Sequence, residues 1–372
     1  MQSNRFSLCL LGALLLVTVI PDGAIAQSKP RQPLLPKDTL PKTLPMEHIP
    51  AGLKTKRPIP TGNPLTAARV ALGRSLFFDP ILSENRTVAC ASCHQPQHGF
   101  AAADARAIGI GGQIGPRNTP TLLNLAYGKR FFWDGRVGSL EEQALKPIAN
   151  PTEMGSSVAA VIKAIRGNAS YVKQFRQAFA DDGKEAVTQD NLAKALASFE
   201  RTLLLGDSPI DRFRASDATA LTDAERQGLW LYESRGRCWR CHGGHDFTDG
   251  SFRNTGIGWG KTPIDLGRFT VTAREADVGK FKTPTLRGTA LTAPYMHDGS
   301  LKTLRDVVQF YNKGGIKNPN LDPIMQPLGL SEADVDHLVA FLKALSQTSD
   351  PKSILPNATR RTQKPKKRDE KN

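Results

Sequence analysis

The apolar positions along the chain predict short helices joined by long irregular connections. Apolar residues repeat at helical spacing over Leu65–Leu76, directly after Asn63-Pro64, which predicts that the first helix begins at that pair. A second apolar helix is expected over Leu192–Leu205, and Thr222 with Glu225 has the pattern of a capping box. Strand signals are weak throughout, so the predicted core is helical.

A separate apolar run near the beginning of the chain predicts export. It extends over Leu8–Ile20, follows Arg5, and precedes Ala24-Ile25-Ala26, a pattern typical of signal-peptide cleavage. We interpret residues 1–26 as a signal peptide and residues 27–62, rich in Pro and Lys, as an extended lead-in. No other stretch is long and apolar enough to span a bilayer, so no stable membrane insertion is expected.

The candidate chemistry of the chain lies in Cys90-Ala91-Ser92-Cys93-His94 and in a second copy, Cys238-Trp239-Arg240-Cys241-His242. The pattern C-x-x-C-H is typical of c-type haem attachment, because two thiols on one helical turn can bond the porphyrin and the adjacent imidazole can reach the iron. A structural zinc site would require four ligands, and each stretch offers three. A redox dithiol would need neither the histidine nor the second copy. The two stretches therefore predict two covalently bound haem c groups.

The similarity between the two halves extends beyond these motifs. Thr119-Pro120-Thr121-Leu122 recurs as Thr283-Pro284-Thr285-Leu286. Trp133-Asp134-Gly135 follows the first copy and His297-Asp298-Gly299 the second, each fourteen residues after the first threonine. Such self-similarity indicates two copies of one haem-binding unit.

We therefore predict a mainly α fold with two cytochrome c-like domains, each with one covalent haem, and with the haems facing the domain interface. The N-terminal domain is assigned to residues 63–206 and the C-terminal domain to residues 207–346. A basic tail, residues 347–372, lacks apolar periodicity and is expected to be disordered.

Charge and cysteine usage narrow the possible functions. The formal net charge is +15, of which residues 360–372 contribute +5, from seven Lys and Arg and two acidic residues. A basic body could steer an acidic protein partner, or it could simply be a solvated surface. The export signal and the lack of a recognition motif disfavour nucleic acid. Cys9 leaves with the signal peptide and the other four cysteines belong to the haem motifs, so no disulfide is expected. Because bacterial haem attachment of this type takes place outside the cytoplasm, we expect a periplasmic protein.

With Phe132-Trp133-Asp134-Gly135 in the first half and Pro294-Tyr295-Met296-His297-Asp298-Gly299 in the second, roughly residues 60–345 resemble the bacterial di-haem cytochrome c peroxidases. The most similar branch is that of the MauG-type, or methylamine-utilisation, enzymes. The resemblance implies an N-terminal haem, with proximal His94, that reacts with peroxide. It also implies a C-terminal haem, with proximal His242, that accepts electrons.

The same resemblance implies roles for three further side chains. Glu153 matches the distal glutamate, which moves a proton between the two oxygens of peroxide; otherwise it would be an ordinary loop or capping residue. Gln143 matches a distal amide that positions the oxygen ligand, and otherwise reads as an exposed helix residue. Trp133 matches the aromatic residue between the haems, a candidate electron relay that could equally be core packing.

One departure from the family pattern concerns the first haem. Many di-haem peroxidases cap this haem at rest with a histidine from a loop after the first motif. The corresponding position here is Ile110, whose side chain cannot bind iron. The first haem is therefore expected to be five-coordinate or water-bound at rest. His98 is the nearest other candidate and is expected at the surface or near a propionate.

The sixth ligand of the second haem has three candidates in the sequence. Met296 and Met325 are soft thioether donors that would raise the potential. The family position falls on Tyr311, where the peroxidases have Met and the MauG-type enzymes have Tyr. Tyr311 is preferred, with Met296 as the alternative.

A calcium ion between the domains is also implied by the resemblance. Asn118 matches its side-chain ligand, and Thr292 and Pro294 match its backbone-carbonyl ligands. Oxygen donors of this kind suit Ca²⁺, with waters completing the shell. Asn118 could otherwise be an ordinary turn residue.

These features leave three functional hypotheses. The first is a peroxidase that reduces hydrogen peroxide with electrons from a small redox protein, a cytochrome c or a cupredoxin. The second is a MauG-type oxidase that modifies residues of a protein substrate, and Tyr311 and Ile110 favour it. Against it, Gly236 stands where the known protein-modifying enzyme has a surface Trp; Trp239, inside the motif, could take the place of that Trp. The third, a non-catalytic electron carrier, is disfavoured by Glu153. The chain is expected to be a monomer or homodimer.

Overall fold

The computed structural model describes residues 48–179 and 185–350, and the regular elements in these ranges are almost entirely helical. The α-helices are α1 (Ala67–Phe78), α2 (Cys90–Cys93), α3 (Leu140–Ala149), α4 (Val158–Arg166), α5 (Ala169–Phe179), α6 (Gln189–Glu200), α7 (Pro209–Arg214), α8 (Asp223–Glu233), α9 (Phe269–Thr272), α10 (Leu304–Asn312) and α11 (Glu332–Ala344). Short 3₁₀-helices cover Pro80–Leu82, Pro96–His98, Ile110–Gly112, Leu125–Tyr127, Cys238–Arg240, Glu275–Asp277 and Thr289–Leu291. Two-residue strands, β1 (Phe252–Arg253) and β2 (Phe281–Lys282), pair antiparallel. The mainly helical prediction is confirmed. The predicted signal peptide, the lead-in up to residue 47 and the tail from residue 351 lie outside the described residues.

A close crossing of two helices occurs once in each half of the chain. In the first half α1 packs against α6, and a methyl group on Gly73 would lie 1.9 Å from the carbonyl oxygen of Ala195. In the second half α8 packs against α11, and a methyl group on Gly228 would lie 2.0 Å from the carbonyl oxygen of His337. Only glycine permits backbones to approach this closely. The repeat detected in the sequence therefore extends to helix packing.

The loops that follow the two Thr-Pro-Thr-Leu segments also share one local structure. Phe131 pairs with Val137 in an isolated antiparallel bridge, and Tyr295 pairs with Leu301 in the same way. A helix follows each bridge, α3 capped by the Ser139 side chain and α10 by the Thr303 side chain. Trp133 and His297 lie at corresponding places within these two bridged turns.

The buried apolar side chains form two large clusters. One includes residues from Leu72 to Leu205, and the other includes residues from Ile210 to Leu345. Both belong to a single compact unit. A smaller cluster around Phe131 joins α3 to α6.

The first helix begins three residues later than the sequence pattern predicted. The cap is Thr66, whose hydroxyl oxygen accepts a hydrogen bond from the Arg69 amide at 3.3 Å. Asn63 is buried instead, and its side-chain amide donates to Glu141 Oε1 at 2.8 Å and to the Lys194 carbonyl at 3.0 Å. The predicted cap residue is thus used to connect α3 and α6.

The predicted apolar helix over Leu192–Leu205 also needs correction, because α6 ends at Glu200. The residues after Glu200 form hydrogen bonds with Asn124 instead. The backbone amide of Asn124 donates to the Leu203 carbonyl, and the backbone amide of Leu205 donates to Asn124 Oδ1, each at 2.8 Å. These tertiary hydrogen bonds replace the helical ones. The predicted capping box of α8, Thr222 with Glu225, is confirmed.

Candidate functional site

Both C-x-x-C-H motifs reach one cavity of about 1040 Å³. Its wall includes Cys93 and His94 from the first motif, and Cys238, Cys241 and His242 from the second. It also includes nearly all of the other residues singled out in the sequence, namely Asn118, Trp133, Gln143, Glu153, Thr292, Pro294, Met296, Tyr311 and Met325. The fold therefore brings together side chains that are more than two hundred positions apart in the sequence, as are Cys93 and Met325.

The two motif histidines have matching environments. His94 Nδ1 lies 3.0 Å from the Phe100 carbonyl oxygen, and His242 Nδ1 lies 3.1 Å from the Phe247 carbonyl oxygen. A carbonyl can only accept, so Nδ1 carries the proton and Nε2 keeps a free lone pair. Burial lowers the pKa of His94 to about 4 and also lowers the pKa of His242. Both imidazoles are thus neutral and have one nitrogen available to a metal.

The motif cysteines lack the features of a redox pair. The first motif forms the single helical turn α2, and Cys238–Arg240 forms a 3₁₀ turn. Burial is the main cause that raises the pKa of the Cys90 and Cys238 thiols, each to about 12. Redox dithiols instead lower the pKa of one thiol to form a reactive thiolate. The alternative of a redox C-x-x-C is therefore disfavoured.

Glu153 lies in the turn that follows α3. Its Oε1 accepts a hydrogen bond from the Asn150 side-chain amide at 2.8 Å, whereas Oε2 has no hydrogen-bond partner among the described residues. Burial raises the pKa of the Glu153 carboxyl, outweighing the opposing effects of Asn150 and of the Arg136 charge. Gln143, one turn into α3, lies in the same cavity wall. A carboxyl group with a raised pKa and a free oxygen is suited to accept and return a proton.

Trp133 is held by residues from both halves of the chain. Its indole Nε1 donates to the Asn118 carbonyl oxygen at 2.9 Å, and its own carbonyl oxygen accepts from the Lys282 amide at 2.8 Å. The Asn118 amide donates in turn to the His297 carbonyl at 2.7 Å, and the His297 ring contacts Trp133 edge to face at 6.5 Å. The indole therefore has a fixed orientation in the wall of the shared cavity.

All three candidates for the second axial position line the cavity. Tyr311, on α10, has no hydrogen-bond partner for its hydroxyl group among the described residues. Burial is the main cause that raises the pKa of Tyr311, and the Cys241 and Cys238 thiols add to the effect. Met296 has a left-handed backbone with φ of 73°, and Met325 is buried. The Tyr311 phenol is therefore half-buried, lies in the same cavity wall as the second motif, and has a hydroxyl group that no described residue engages.

The predicted calcium ligands Asn118, Thr292 and Pro294 lie along the same wall. The Asn118 side-chain amide donates to the carbonyls of Asp104 and Ala105, at 3.4 and 3.2 Å. In the described ranges, no group of three or more His, Cys, Asp and Glu side chains is arranged to hold a metal ion. The predicted site relies on carbonyl and amide oxygens, and it stays a prediction.

Ile110 and His98 do not belong to the cavity wall. Ile110 is buried against the turn that contains Glu153, and His98 ends a 3₁₀-helix outside the cavity. Many family members have a capping histidine in this loop, and Ile110 stands at that position here. Among the described residues, no other histidine takes its place in the loop.

Sequence reasoning missed two charged features of the cavity. Burial lowers the pKa of Lys282, and its ammonium group makes no hydrogen bond to a described residue. Arg117 donates two hydrogen bonds to Asp265, at 2.6 and 2.8 Å, and one to Asp134 at 2.6 Å. Lys282 could have been found in the sequence, because it lies directly before the second Thr-Pro-Thr-Leu segment. No sequence pattern indicated that Asp265 would reach the cavity.

Comparison with known proteins agrees with this geometry. A family model described as di-haem cytochrome c peroxidase matches residues 67–219. The chain is 42% identical over 290 residues to the methylamine utilization protein MauG of Methylorubrum extorquens, covering 77% of this chain and 81% of that one. It is 36% identical to the cytochrome c551 peroxidase of Pseudomonas aeruginosa, covering 82% and 86%. The chain belongs to the di-haem cytochrome c peroxidase family. Because its named relatives are peroxidases and MauG proteins, this family member is an oxidoreductase.

Solved structures of di-haem peroxidases have the same fold. A MauG-like protein associated with microbial copper homeostasis has a TM-score of 0.74 and 31% identity, and the match covers 83% of this chain and 97% of that one. The di-haem peroxidase BthA from Burkholderia thailandensis has a TM-score of 0.68 and 27% identity, covering 80% and 90%. None of the described helices has the length and apolar character needed to cross a membrane.

Membership in the di-haem peroxidase family implies two haem c groups, and the residues present fit them. The first motif offers the Cys93 thiol and the neutral His94 imidazole to the cavity, and the second offers the Cys238 and Cys241 thiols and the neutral His242 imidazole. Tyr311 adds a hydroxyl group that makes no hydrogen bond to a described residue. The ammonium of Lys282, which makes no hydrogen bond to a described residue, is suited to a carboxylate such as a haem propionate.

Proposed function

We propose that this protein is a periplasmic enzyme that reduces hydrogen peroxide at the N-terminal motif, with electrons that enter through the C-terminal motif. The observation that carries the proposal is Glu153, a half-buried carboxyl in the cavity wall shared with His94, with a raised pKa and with no hydrogen bond from a described residue to its Oε2. A carrier of electrons alone would not need such a group. The proposed donor is a small cytochrome c or a cupredoxin.

The residues of the chain have separable tasks in this proposal. Reduction of hydrogen peroxide to two waters consumes two electrons and two protons, and bound haem would supply the redox chemistry. The free Oε2 of Glu153 takes the proton from the near oxygen of peroxide and returns it to the far oxygen, which leaves as water. Asn150 keeps Oε1 fixed, so that one carboxylate oxygen is available. Gln143 orients the substrate by its amide group.

Electron transfer between the two motifs is assigned to Trp133. The support is its position in the shared wall and its hydrogen bonds to Asn118 and Lys282, which belong to different halves of the chain. A rigidly held indole needs little reorganisation when an electron passes. The first large apolar cluster ends at Leu205 and the second begins at Ile210. This change supports the proposed domain boundary between residues 206 and 207. The calcium site at Asn118, Thr292 and Pro294 belongs to the same proposal.

Replacement of Glu153 by glutamine tests the proposal directly. Glu153→Gln should keep both haems and lose about 10²–10⁴-fold in peroxide turnover, because the amide cannot accept the proton. The matched control is Glu142→Gln, an exposed glutamate on α3. Turnover by steady-state assay and haem content by absorbance are the measurements. Near-wild-type turnover in Glu153→Gln would remove this residue from the mechanism.

The raised pKa of Glu153 also predicts the pH dependence. The carboxylate form accepts the proton, so kcat/KM should fall as the pH drops through the pKa of the free enzyme. Because burial raises this pKa, the fall should begin at a higher pH than for an ordinary glutamate, whose pKa is about 4.3. The acid limb should be absent from the pH profile of Glu153→Gln.

A second candidate function is MauG-type oxidation of residues in a partner protein. Tyr311 favours it, because an anionic phenolate ligand stabilises oxidised iron whereas a thioether stabilises reduced iron. Incubation of the oxidised enzyme and peroxide with periplasmic proteins, followed by mass spectrometry, tests this function. A peroxide-dependent mass change in one partner, with slow turnover of small redox donors, would favour it over the peroxidase function.

A further inference from the structure

The loop that contains Ile110 is packed directly on the turn that contains Glu153. The Ile110 amide donates to the Glu153 carbonyl oxygen at 2.8 Å, and the Gln113 side-chain amide donates to the Pro151 carbonyl at 3.2 Å. Ile110 is 7% exposed, and a methyl group on Gly155 would lie 3.2 Å from both its Cδ1 and its Cγ2 atoms. Apolar and polar contacts thus join two segments that lie about forty residues apart.

The approach of these two segments depends on glycine at position 109. A methyl group there would lie 2.0 Å from the Thr152 carbonyl oxygen and 2.7 Å from the Glu153 carbonyl oxygen. The loop closes on itself through hydrogen bonds from the Gly109 amide to the Gln113 carbonyl, at 2.8 Å, and from the Gly112 amide to the Gly109 carbonyl, at 3.1 Å. It therefore contacts the turn as a preformed unit.

Within the turn, the Glu153 side chain has only one hydrogen bond to a described residue, the one from Asn150. The backbone of the turn is held by α3, since the Met154 amide donates to the Pro147 carbonyl at 3.3 Å, and by the Ile110 loop on its other side. A small shift of this backbone would move the carboxyl group relative to His94.

We propose that the loop Gly109–Gln113, through Ile110, is a positioning element for Glu153. This inference rests on the proposed function of Glu153 and goes beyond it, because it gives a non-catalytic segment control over the carboxyl group. The Ile110 side chain, which cannot bind iron, fixes the turn by packing on Gly155. The loop acts on turnover through the Glu153 backbone, to which the Ile110 amide donates, and makes no hydrogen bond to the Glu153 carboxyl group.

A double-mutant cycle between Ile110 and Glu153 tests the proposal. Ile110→Ala should lower kcat/KM for peroxide about 10- to 100-fold, because misplacement of a reacting group by about 1 Å can cost 10²-fold. The matched control is Ile114→Ala, directly after the loop and 65% exposed, which should stay within about twofold of wild type. Ile110→Val, which keeps the Cγ2 methyl, should recover most of the activity. In the Glu153→Gln background Ile110→Ala should cause no further loss.

Hydrogen–deuterium exchange of the peptide that covers residues 147–156 provides a readout independent of turnover. Uptake should increase in Ile110→Ala and stay unchanged in Ile114→Ala. Gly109→Ala should act in the same direction, with Gly138→Ala as its control, since a methyl group on Gly138 would contact nothing within 4 Å.

Equal losses from Ile110→Ala in both backgrounds, or wild-type activity and exchange in Ile110→Ala, would overturn the positioning role. Wild-type turnover in Glu153→Gln would instead overturn the proposed function, while the exchange result would still report whether Ile110 holds the turn.

Discussion

At the scale of single residues, the two motif histidines show how one backbone carbonyl prepares a metal ligand. Phe100 and Phe247 each accept the Nδ1 proton of the preceding histidine, and burial keeps both rings neutral. The alternative tautomer would place a proton on Nε2, the nitrogen that would bind the iron. The hydrogen bond therefore selects the binding form before the cofactor is attached.

Tyr311 gives the residue-scale prediction that separates the two branches of the family. With Tyr311 as ligand, the second haem should have a low reduction potential, because an anionic oxygen donor favours oxidised iron. Tyr311→Met should raise that potential, measured by redox titration of the holoenzyme, and should shift the protein toward the simple peroxidase cycle.

The competing assignment to Met296 makes a different forecast. Histidine–methionine ligation would give the oxidised wild-type protein the near-infrared thioether-to-iron band, which Met296→Leu would abolish. In that case Tyr311→Met would change the potential little. Observation of this band in the wild type would contradict ligation by Tyr311.

At the scale of elements, the Gly109–Gln113 loop predicts the resting state of the first haem. Ile110 packs on Gly155 and does not line the cavity, so this loop supplies no iron ligand. The fully oxidised enzyme should therefore have a high-spin signal in electron paramagnetic resonance and should react with peroxide without prior reduction. A wholly low-spin enzyme, inert until half-reduced, would mean that another residue caps the iron, with His98 as the first to be replaced.

At the scale of the whole molecule, a buried ion pair in the second half of the chain should be important for stability. Arg287 is fully buried and donates two hydrogen bonds to Asp211, at 2.7 and 2.8 Å, and one to the Gly52 carbonyl at 3.2 Å. Asp211→Asn should lower the free energy of unfolding by roughly 3–5 kcal/mol, because it removes the carboxylate closest to the buried guanidinium and leaves Asp246, 3.9 Å from Nε, as the remaining acidic neighbour. Denaturant titration measures the change.

The pair also predicts how stability depends on pH. Burial alone would raise the pKa of Asp211, but the hydrogen bonds and charge of Arg287 outweigh it and lower the pKa. The stabilisation is therefore complete above the unfolded pKa and is lost as the pH falls through the lower folded pKa. Asp211→Asn should lack this acid-dependent loss. Asp336→Asn, which breaks an exposed pair with Arg305, is the control and should change stability little.

The cofactor content is a prediction for the molecule as a whole. Intact-mass measurement of the mature protein should show two covalent haems per chain, one on each C-x-x-C-H motif. Replacement of both Cys90 and Cys93 by serine should leave one. A single added haem in the wild type would contradict the assignment of two haem-binding units.

Much of the site could be predicted from the sequence because its key groups are adjacent in the chain. The C-x-x-C-H motifs and the Thr-Pro-Thr-Leu repeat are local patterns that can be recognised in the sequence alone. Glu153 and Tyr311 were predicted because their positions match those of functional residues in the di-haem peroxidase family. Helix boundaries were less predictable. Asn63 resembles a cap, yet its side chain bonds to α3 and α6, and the apolar run after Glu200 leaves the helix to bond to Asn124.

The sequence by itself determined the helical class, the two haem motifs and their repetition, since these depend on residue types at short, fixed spacing. Only the tertiary structure decided that both motifs share one cavity, that Arg117 of the first half pairs with Asp265 of the second, and that the Ile110 amide donates to the Glu153 carbonyl oxygen. These relations depend on close packing between segments that are distant in the sequence. At Gly109, for example, a single added methyl group would clash with the carbonyl oxygen of Thr152. The spacing of residues along the chain does not specify which distant segments approach each other in the folded protein.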